Sequence, residues 1–146
     1  MTKLRRYAGA VYDNDEILAI MGAVLDGWWS GGEHTLQFED KFAEYLGVKH
    51  AVACNSGSSA NLLAITALEL EKGSEVITPA VTFPTTLNPI IQSGLTPVFV
   101  DVDLETYNVP PNLVEKAISP KTRAIVVPHT LGNPYNLTAL LKICAK

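Results

Sequence analysis

Cysteine is scarce in this sequence, which has Cys54 and Cys144 as its only two among 146 residues. Two cysteines exclude a disulfide scaffold and a four-cysteine metal site within these residues, so we expect no metal ligands here. Basic residues are outnumbered, with 11 lysines and arginines against 15 aspartates and glutamates, whereas a nucleic-acid-binding domain carries a basic stripe. Apolar runs are short, since none reaches the roughly 18 residues that a membrane span requires. We therefore expect neither a nucleic-acid partner nor a membrane partner.

What the sequence does contain is typical of a folded domain. Apolar residues make up 47% of the chain and charged residues 18%, which supplies enough apolar surface for a core. The length fits one ordinary domain. The first residues are basic but lack the apolar segment of a secretory signal, so we expect none.

The first 50 residues are predicted to form a helical arm, residues 1–50. Asp13 and Glu16 have the spacing of a capping box, and apolar residues follow at helical spacing up to residue 25. A second helix is predicted from about residue 35 to 46, where Gly47 ends it. Trp28 and Trp29 lie in the glycine-rich loop between these helices. They are interpreted either as a buried hinge or as anchors of an interface with another chain.

From residue 51 onward, short apolar runs alternate with helical patterns. The runs predict strands at 51–54, 75–78, 97–100 and 124–127, and the patterns predict helices at 60–70, 86–93, 111–118 and 136–145. Such an alternation indicates an α/β fold with a largely parallel sheet that is covered on both faces.

In open α/β sheets, ligands bind beyond the carboxyl ends of the strands. Gly57 follows the first predicted strand and is surrounded by the hydroxyls of Ser56, Ser58 and Ser59, just before a helix. The free N–H groups and the positive dipole end of that helix favour an anion. An ordinary serine N-cap is the alternative interpretation.

The other predicted strand ends also carry candidate residues. Phe83 follows the second strand, where an aromatic ring more often packs in the core but also stacks on planar ligands. Asp101 and Asp103 follow the third strand and are interpreted as turn caps. His129 follows the fourth strand and is the best-placed ionisable side chain of the chain. It is interpreted either as a functional group or as a loop histidine whose hydrogen bonds are satisfied within the protein. Cys54 is predicted to be a small buried side chain rather than a nucleophile.

Taken together, these segments form an ordered series. The chain contains Gly-Trp-x-Ser-Gly-Gly, Phe-Glu-x-x-Phe-Ala-x-Tyr-Leu-Gly, Ser-Gly-Ser-Ser-Ala-Asn, Glu-Val-Ile-Thr-Pro-Ala-Val-Thr-Phe-Pro-Thr-Thr and Pro-Val-Phe-Val-Asp-Val-Asp, in that order. The series closely resembles the N-terminal part of the DegT/StrS family of sugar aminotransferases and dehydratases, which are cytoplasmic pyridoxal-phosphate enzymes. The resemblance implies the fold type I of pyridoxal-phosphate-dependent transferases, with residues 51–146 as the first part of an incomplete large domain.

One branch of the family is the most similar. Thr-Phe-Pro-Thr-Thr-Leu-Asn-Pro and His-Thr-Leu-Gly-Asn-Pro resemble the 3-dehydrases that remove the C3 hydroxyl of CDP-4-keto-6-deoxyhexoses for O-antigen and lipopolysaccharide. The resemblance implies pyridoxamine or pyridoxal phosphate as the cofactor and a nucleotide sugar as the substrate. It also implies a [2Fe-2S] cluster in the full-length dehydrase only, a homodimer and a reductase partner.

The family's functional residues map onto few positions of this chain. Its phosphate-binding turn matches Gly57, Ser58 and Ser59, and its ring-stacking aromatic residue matches Phe83. His129 is a candidate residue beside the cofactor, without a catalytic role carried over.

The segment that contains Trp28, Trp29 and Glu33 is a candidate contact for substrate or for a partner subunit. Without the resemblance, Glu33 is interpreted as part of a solvated turn.

The resemblance places the family's catalytic residues beyond Lys146. These are the aspartate that pairs with the pyridine nitrogen, the lysine or histidine that moves the proton, and the cysteines of the cluster. We therefore predict an N-terminal portion with no catalytic residue, inactive by itself. Two alternatives stay open: a fragment of a 4-keto-sugar aminotransferase, and a non-catalytic dimerising module.

Overall fold

A computed structural model of the protein describes residues 9–146, and the chain divides into one unit that ends at Ala53 and a second that spans Cys54–Lys146. The first unit holds helices α1 (Asn14–Leu25) and α2 (Glu33–Leu46). Both predicted helices are confirmed, although α2 starts two residues earlier than its pattern indicates. The first eight residues of the predicted arm lie outside the described residues.

Local signals fix the ends of these two helices. The Asp13 carboxylate accepts the Asp15 N–H at 2.9 Å, and the Glu16 carboxylate accepts the Asp13 N–H at 2.8 Å. This is the predicted capping box, which satisfies backbone donors that the first turn leaves without partners. At the end of α2, Gly47 has φ +66°, a left-handed conformation that glycine adopts without strain.

The second unit is an α/β layer structure. Its elements are α3 (Gly57–Thr66), β1 (Glu75–Pro79), α4 (Pro84–Gln92), β2 (Thr96–Val100), α5 (Pro111–Ala117), β3 (Thr122–Ile125), a 3₁₀ turn (Thr130–Gly132) and α6 (Leu137–Cys144). The strands form a parallel sheet in the order β2-β1-β3, with Ile77 of β1 opposite Val98 of β2 and Ile125 of β3. The predicted parallel sheet is confirmed for these strands.

Helices cover both faces of the sheet, as the continuous apolar strands predict. Val76 and Ile77 are neighbours on β1 and are both fully buried, but they belong to different clusters because successive side chains of a strand point to opposite faces. On one face Val76 packs with Ile65 of α3 and Ile90 of α4. On the other face, Ile77 belongs to a cluster that draws on α5 and α6 and includes Val114, Leu140 and Ile143.

Two predictions about residues 51–54 are wrong. Residues 51–54 form no strand, because a strand requires a hydrogen-bonded neighbour and the described sheet pairs only β1, β2 and β3. Cys54 is exposed rather than buried, and its thiol donates to the carbonyl of Ser56 at 3.3 Å. Short apolar runs do not distinguish a buried strand from an extended segment that leads into a helix.

None of the helices in residues 9–146 has the length and apolar content needed to cross a membrane.

Candidate cofactor site

The N-terminus of α3 presents free backbone donors. Ser56 is the N-cap, and its hydroxyl oxygen accepts the Ser59 N–H at 3.2 Å, so the serine-cap interpretation is confirmed. The next donor, the Ala60 N–H, is bonded to the Ser56 carbonyl at 3.0 Å. The N–H groups of Gly57 and Ser58 have no acceptor within residues 9–146. Two donors therefore remain available to a ligand at the positive end of a ten-residue helix.

The charge pattern separates this helix start from that of α1. The first turn of α1 contains Asp15 and Glu16, whereas the first turn of α3 contains no acidic residue. An added Cβ at Gly57 would meet no atom within 4 Å, so packing in the described chain does not explain the glycine. An open, acid-free helix start with free donors fits a phosphate group, whose charge the dipole favours.

Phe83 occupies the start of the next helix. It is the N-cap residue of α4, and its side chain is 71% exposed. The core-packing interpretation of Phe83 is therefore wrong. A large apolar ring left exposed beyond the carboxyl end of β1 fits a contact with a planar ring, which would bury it.

Asn61 connects these two helix starts. It lies one turn into α3, and its Nδ2 donates to the carbonyl of Thr85 in the first turn of α4 at 3.1 Å. This bond holds the α3 turn and the Phe83 turn at the same edge of the sheet. The sequence contains the asparagine within Ser-Gly-Ser-Ser-Ala-Asn, but nothing in that pattern identifies its partner 24 residues later.

His129 lies beyond β3, where its ring stacks on Tyr135. The ring centroids are 4.3 Å apart with an interplanar angle of 17°, and the Tyr135 backbone N–H donates to His129 Nδ1 at 3.4 Å. His129 remains exposed, whereas Tyr135 is half-buried and packs against the α5–α6 core cluster. Tyr135 carries no motif signal, and only the folded loop brings it to the histidine.

A cavity of about 330 Å³ lies among α3, α4 and the residues that follow β3. Asn61 of α3, Thr86 of α4 and Tyr135 all line it. The Asn61–Thr85 bond holds the starts of α3 and α4 together, and the parallel pairing of β1 with β3 directs the loops with Phe83 and His129 to the same end of the sheet.

The loop after β2 is held by its aspartates, as predicted. Asp101 accepts the Val102 N–H at 2.8 Å, and Asp103 accepts the Thr106 N–H at 2.9 Å and the Thr106 hydroxyl at 3.0 Å. The bonds from the Thr106 N–H and then from its hydroxyl lower the pKa of Asp103, because they favour the charged carboxylate. These residues are structural turn caps.

Trp28 and Trp29 are 66% and 80% exposed, so the buried-hinge interpretation is wrong. The Trp28 indole N–H donates to the Gly31 carbonyl at 2.9 Å, and the Trp29 indole N–H donates to the Val24 carbonyl at 3.3 Å. Glu33 does not lie in a turn, because it is the first residue of α2. All three side chains belong to the first unit.

Within residues 9–146, no group of three or more histidine, cysteine or acidic side chains has an arrangement that would hold a metal ion.

Comparison with known proteins identifies the family. The sequence profile described as the DegT/DnrJ/EryC1/StrS aminotransferase family matches residues 11–146. The chain belongs to this family. The resemblance drawn from the motif series is thereby confirmed.

Two curated relatives match nearly the whole chain. The lipopolysaccharide biosynthesis protein RfbH of Salmonella typhimurium is 48% identical over 95% of this chain and 34% of its own length. A dTDP-4-dehydro-2,6-dideoxy-D-glucose 3-dehydratase of Saccharopolyspora spinosa is 46% identical over 94% of this chain and 32% of its own length. The chain therefore spans about a third of the length of the curated relatives it matches.

A solved structure confirms the fold class. The Escherichia coli GDP-4-keto-6-deoxy-D-mannose 3-dehydratase with bound hydrated pyridoxal phosphate superimposes with a TM-score of 0.88 at 39% identity. The match covers 94% of this chain and 37% of that chain. This chain has the fold of the pyridoxal-phosphate-dependent sugar aminotransferases and dehydratases, over part of the large domain.

Proposed function

We propose that this chain is the N-terminal, phosphate-binding portion of a nucleotide-sugar 3-dehydratase that uses pyridoxamine or pyridoxal phosphate. The observation that carries the proposal is the start of α3, where two backbone donors are free and no acidic side chain competes for them. The 3-dehydratases among the relatives and the solved structures favour this reaction over others in the family. When bound, the cofactor supplies an electron sink for bond cleavage next to the substrate carbonyl carbon.

The residues of this chain have binding roles in the proposal. The backbone of Gly57 and the hydroxyls of Ser58 and Ser59 hold the cofactor phosphate, and Phe83 covers one face of its ring. His129 contributes a hydrogen-bonding group beside the cofactor. In the first unit, the exposed rings of Trp28 and Trp29 and the carboxylate of Glu33 contact the substrate or a second subunit.

The finer assignment is a dehydratase of the CDP-sugar branch for O-antigen and lipopolysaccharide, acting in the cytoplasm as a homodimer. Its support is the 48% identity to a lipopolysaccharide biosynthesis protein, together with the Thr-Phe-Pro and His-Thr-Leu-Gly segments. In that branch the whole protein also requires a [2Fe-2S] cluster and a reductase partner, with cluster ligands beyond residue 146. A 4-keto-sugar aminotransferase is the second candidate, because a family that contains both activities shares the phosphate-binding turn.

The proposal is tested by titrating the 146-residue chain with pyridoxamine phosphate and following the cofactor absorbance. Ser58→Ala combined with Ser59→Ala should weaken binding by about 1–2 kcal/mol for each hydroxyl bond lost, while the backbone donors preserve part of the affinity. Pyridoxamine without phosphate is the control ligand, and its affinity should not change. Equal losses for both ligands would remove the serines from the phosphate site.

The ring contact has its own test. Phe83→Ala should weaken pyridoxamine phosphate binding by about 0.5–1.5 kcal/mol, the contribution of one aromatic pair. Phe99→Ala is the matched control, because Phe99 is also exposed but lies on β2 rather than at a helix start. An unchanged affinity for Phe83→Ala would exclude this ring from the site.

Activity provides a further check. The chain alone, given pyridoxamine phosphate and a CDP-4-keto-6-deoxyhexose, should show no appreciable turnover, because the proton-transfer residue is proposed to lie elsewhere in the whole protein. Appreciable turnover would contradict this division of roles.

A further inference from the structure

We propose that Tyr135 is a positioning residue that fixes the tautomer and ring plane of His129. In this arrangement Nδ1 accepts a hydrogen bond from the loop, and Nε2 carries the proton and donates to an oxygen acceptor of the bound cofactor. The identity of that ligand rests on the proposed function, but the arrangement of the two rings does not.

The hydrogen bond defines the tautomer. A backbone N–H can only donate, so the 3.4 Å contact from the Tyr135 N–H requires a lone pair on His129 Nδ1. A neutral imidazole with an unprotonated Nδ1 carries its proton on Nε2. Among the described residues, His129 Nε2 has no hydrogen-bond partner, so this donor is available.

The stacking contact with Tyr135 defines the plane of the His129 ring. At a centroid distance of 4.3 Å and an angle of 17°, the tyrosine ring covers one face of the imidazole. Tyr135 is itself held by the core cluster of α5 and α6, whereas His129 is exposed. The half-buried tyrosine, which the core holds, therefore orients the exposed histidine.

The loop between the two rings is closed at several points. The Gly132 N–H donates to the His129 carbonyl at 3.0 Å, and Leu131 has a left-handed φ of +54°, a conformation that a non-glycine residue adopts only at a cost. Asn133 Nδ2 donates to the Thr106 carbonyl at 3.1 Å, and Asn108 Nδ2 donates to the Asn133 carbonyl at 3.1 Å. This loop is tied to the loop after β2, which limits how far the imidazole can move from Tyr135.

The position of the His129 imidazole at the end of the sheet indicates which kind of ligand its Nε2–H contacts. Tyr135 lines the same cavity as Asn61, which lies one turn into α3, and Thr86, which lies in the first turn of α4. Because β3 runs parallel to its neighbour β1, the loop that carries His129 leaves the sheet at the same end as the loop that carries Phe83. A fixed Nε2 donor at this end suits an oxygen atom of an anionic ligand.

The first experiment measures the tautomer of His129 and the chemical shifts of its ring protons in the absence of any ligand. In the ¹⁵N-labelled 146-residue chain, two-bond ¹H–¹⁵N correlations report the tautomer of each of the three imidazoles, and His129→Gln identifies the His129 signals. In its neutral state, His129 should show the Nε2–H form, with ring protons shifted upfield by the tyrosine. Tyr135→Phe should keep both signatures, because it keeps the ring and the backbone N–H.

Tyr135→Leu removes the ring, and the upfield shift of the His129 protons should disappear while those of His34 and His50 remain unchanged. An Nδ1–H form in the native chain, or His129 spectra that are identical in the leucine and phenylalanine variants, would overturn the inference. If the leucine variant does not fold, the native chain and the phenylalanine variant still test the inference, because an Nδ1–H form, or the absence of an upfield shift of the His129 ring protons in either, would overturn it.

The second experiment measures pyridoxamine phosphate affinity. His129→Gln places a donor near the position of Nε2 and should keep the Kd within about threefold, whereas His129→Asn places it near Nδ1 and should raise the Kd roughly fivefold to tenfold, as for one lost hydrogen bond. Equal losses in both variants would overturn the Nε2 assignment. If the native chain binds no pyridoxamine phosphate, the proposed function fails, while the ring spectra still decide the role of Tyr135.

Discussion

Ile20 of α1 is 64% exposed, whereas Ile77 of β1 is fully buried, and the two isoleucines represent the two units of the chain. None of the 12 residues of α1 is buried, and Ala43 is the only buried residue of α2. The second unit instead has two apolar clusters, one on each face of its sheet. The helices of the first unit are fixed by local contacts, and the elements of the second unit are fixed by burial.

This difference shows that a clear helix signal and a buried helix are separate properties. The capping box and the apolar periodicity of α1 predict its bounds correctly, yet its apolar residues have no core partner in the described chain. Helices of this length are only marginally stable in water without tertiary contacts. Burial therefore has to be measured separately from helix formation.

The largest expected effect is on the free energy of unfolding, and it separates an isoleucine-to-alanine substitution in the second unit from the same substitution in the first. Ile77→Ala should lower the free energy of unfolding by about 2–5 kcal/mol, because it removes buried methyl groups and leaves a cavity. Ile20→Ala should change it by less than about 0.5 kcal/mol, as at most exposed positions. Urea unfolding followed by circular dichroism measures both. A cost for Ile20→Ala that approaches the cost for Ile77→Ala would show that α1 is buried in solution.

A smaller effect tests the local contacts of the first unit. A Cβ at Gly32 would lie 2.6 Å from Trp28 Cδ1, whereas a Cβ at Gly31 would meet nothing within 4 Å. Gly32→Ala should therefore displace the Trp28 ring and break its bond to the Gly31 carbonyl, at a cost of about 1 kcal/mol.

The measurement is indole fluorescence in a Trp29→Phe background, where Trp28 is the only tryptophan. Gly32→Ala should increase quenching by iodide, and Gly31→Ala should leave it unchanged. The same quenching in both variants would mean that Trp28 is not held against Gly32.

The smallest effect concerns a local contact in the second unit. The folded pKa of Asp103 lies below its ordinary value, so its contribution to stability is present above the unfolded pKa of about 4 and is lost as the pH falls through the folded pKa. When the pH falls from 5 to 3, the free energy of unfolding of the Asp103→Asn variant should therefore decrease less than that of the native chain. Urea midpoints at these two pH values measure the difference.

Asp40→Asn is the control, because Asp40 is exposed and accepts no hydrogen bond within residues 9–146. Its acid sensitivity should match that of the native chain. If Asp103→Asn behaves in the same way, the Thr106 bonds do not persist in solution.

Much of the fold could be predicted from the sequence, because caps, periodicity and apolar runs are local. Strands β1, β2 and β3 lie within two residues of their predicted positions, and α5 differs from its prediction by one residue at its end. The predicted strand at 51–54 failed because strand formation depends on a neighbour elsewhere in the chain. The predicted burial of Cys54 and the buried-hinge interpretation of Trp28 and Trp29, one of the two given for them, were wrong because residue type gives only an average exposure.

The candidate site likewise has parts that the sequence predicts and parts that it does not. The glycine and serine turn before α3 is visible in the sequence, since a helix start and its N-cap are set by adjacent residues. The His129–Tyr135 stack and the Asn61–Thr85 bond are not visible there, because they join residues that only the folded loops bring together.

The sequence by itself determined the family, the alternation of strands and helices, and the glycine and serine residues at the start of α3, because these depend on residue order and on local backbone geometry. The tertiary structure decided which apolar side chains are buried, that Phe83 is exposed, and that the rings of His129 and Tyr135 stack. Those outcomes depend on contacts between segments far apart in the chain, whose free energies are not encoded in any one segment.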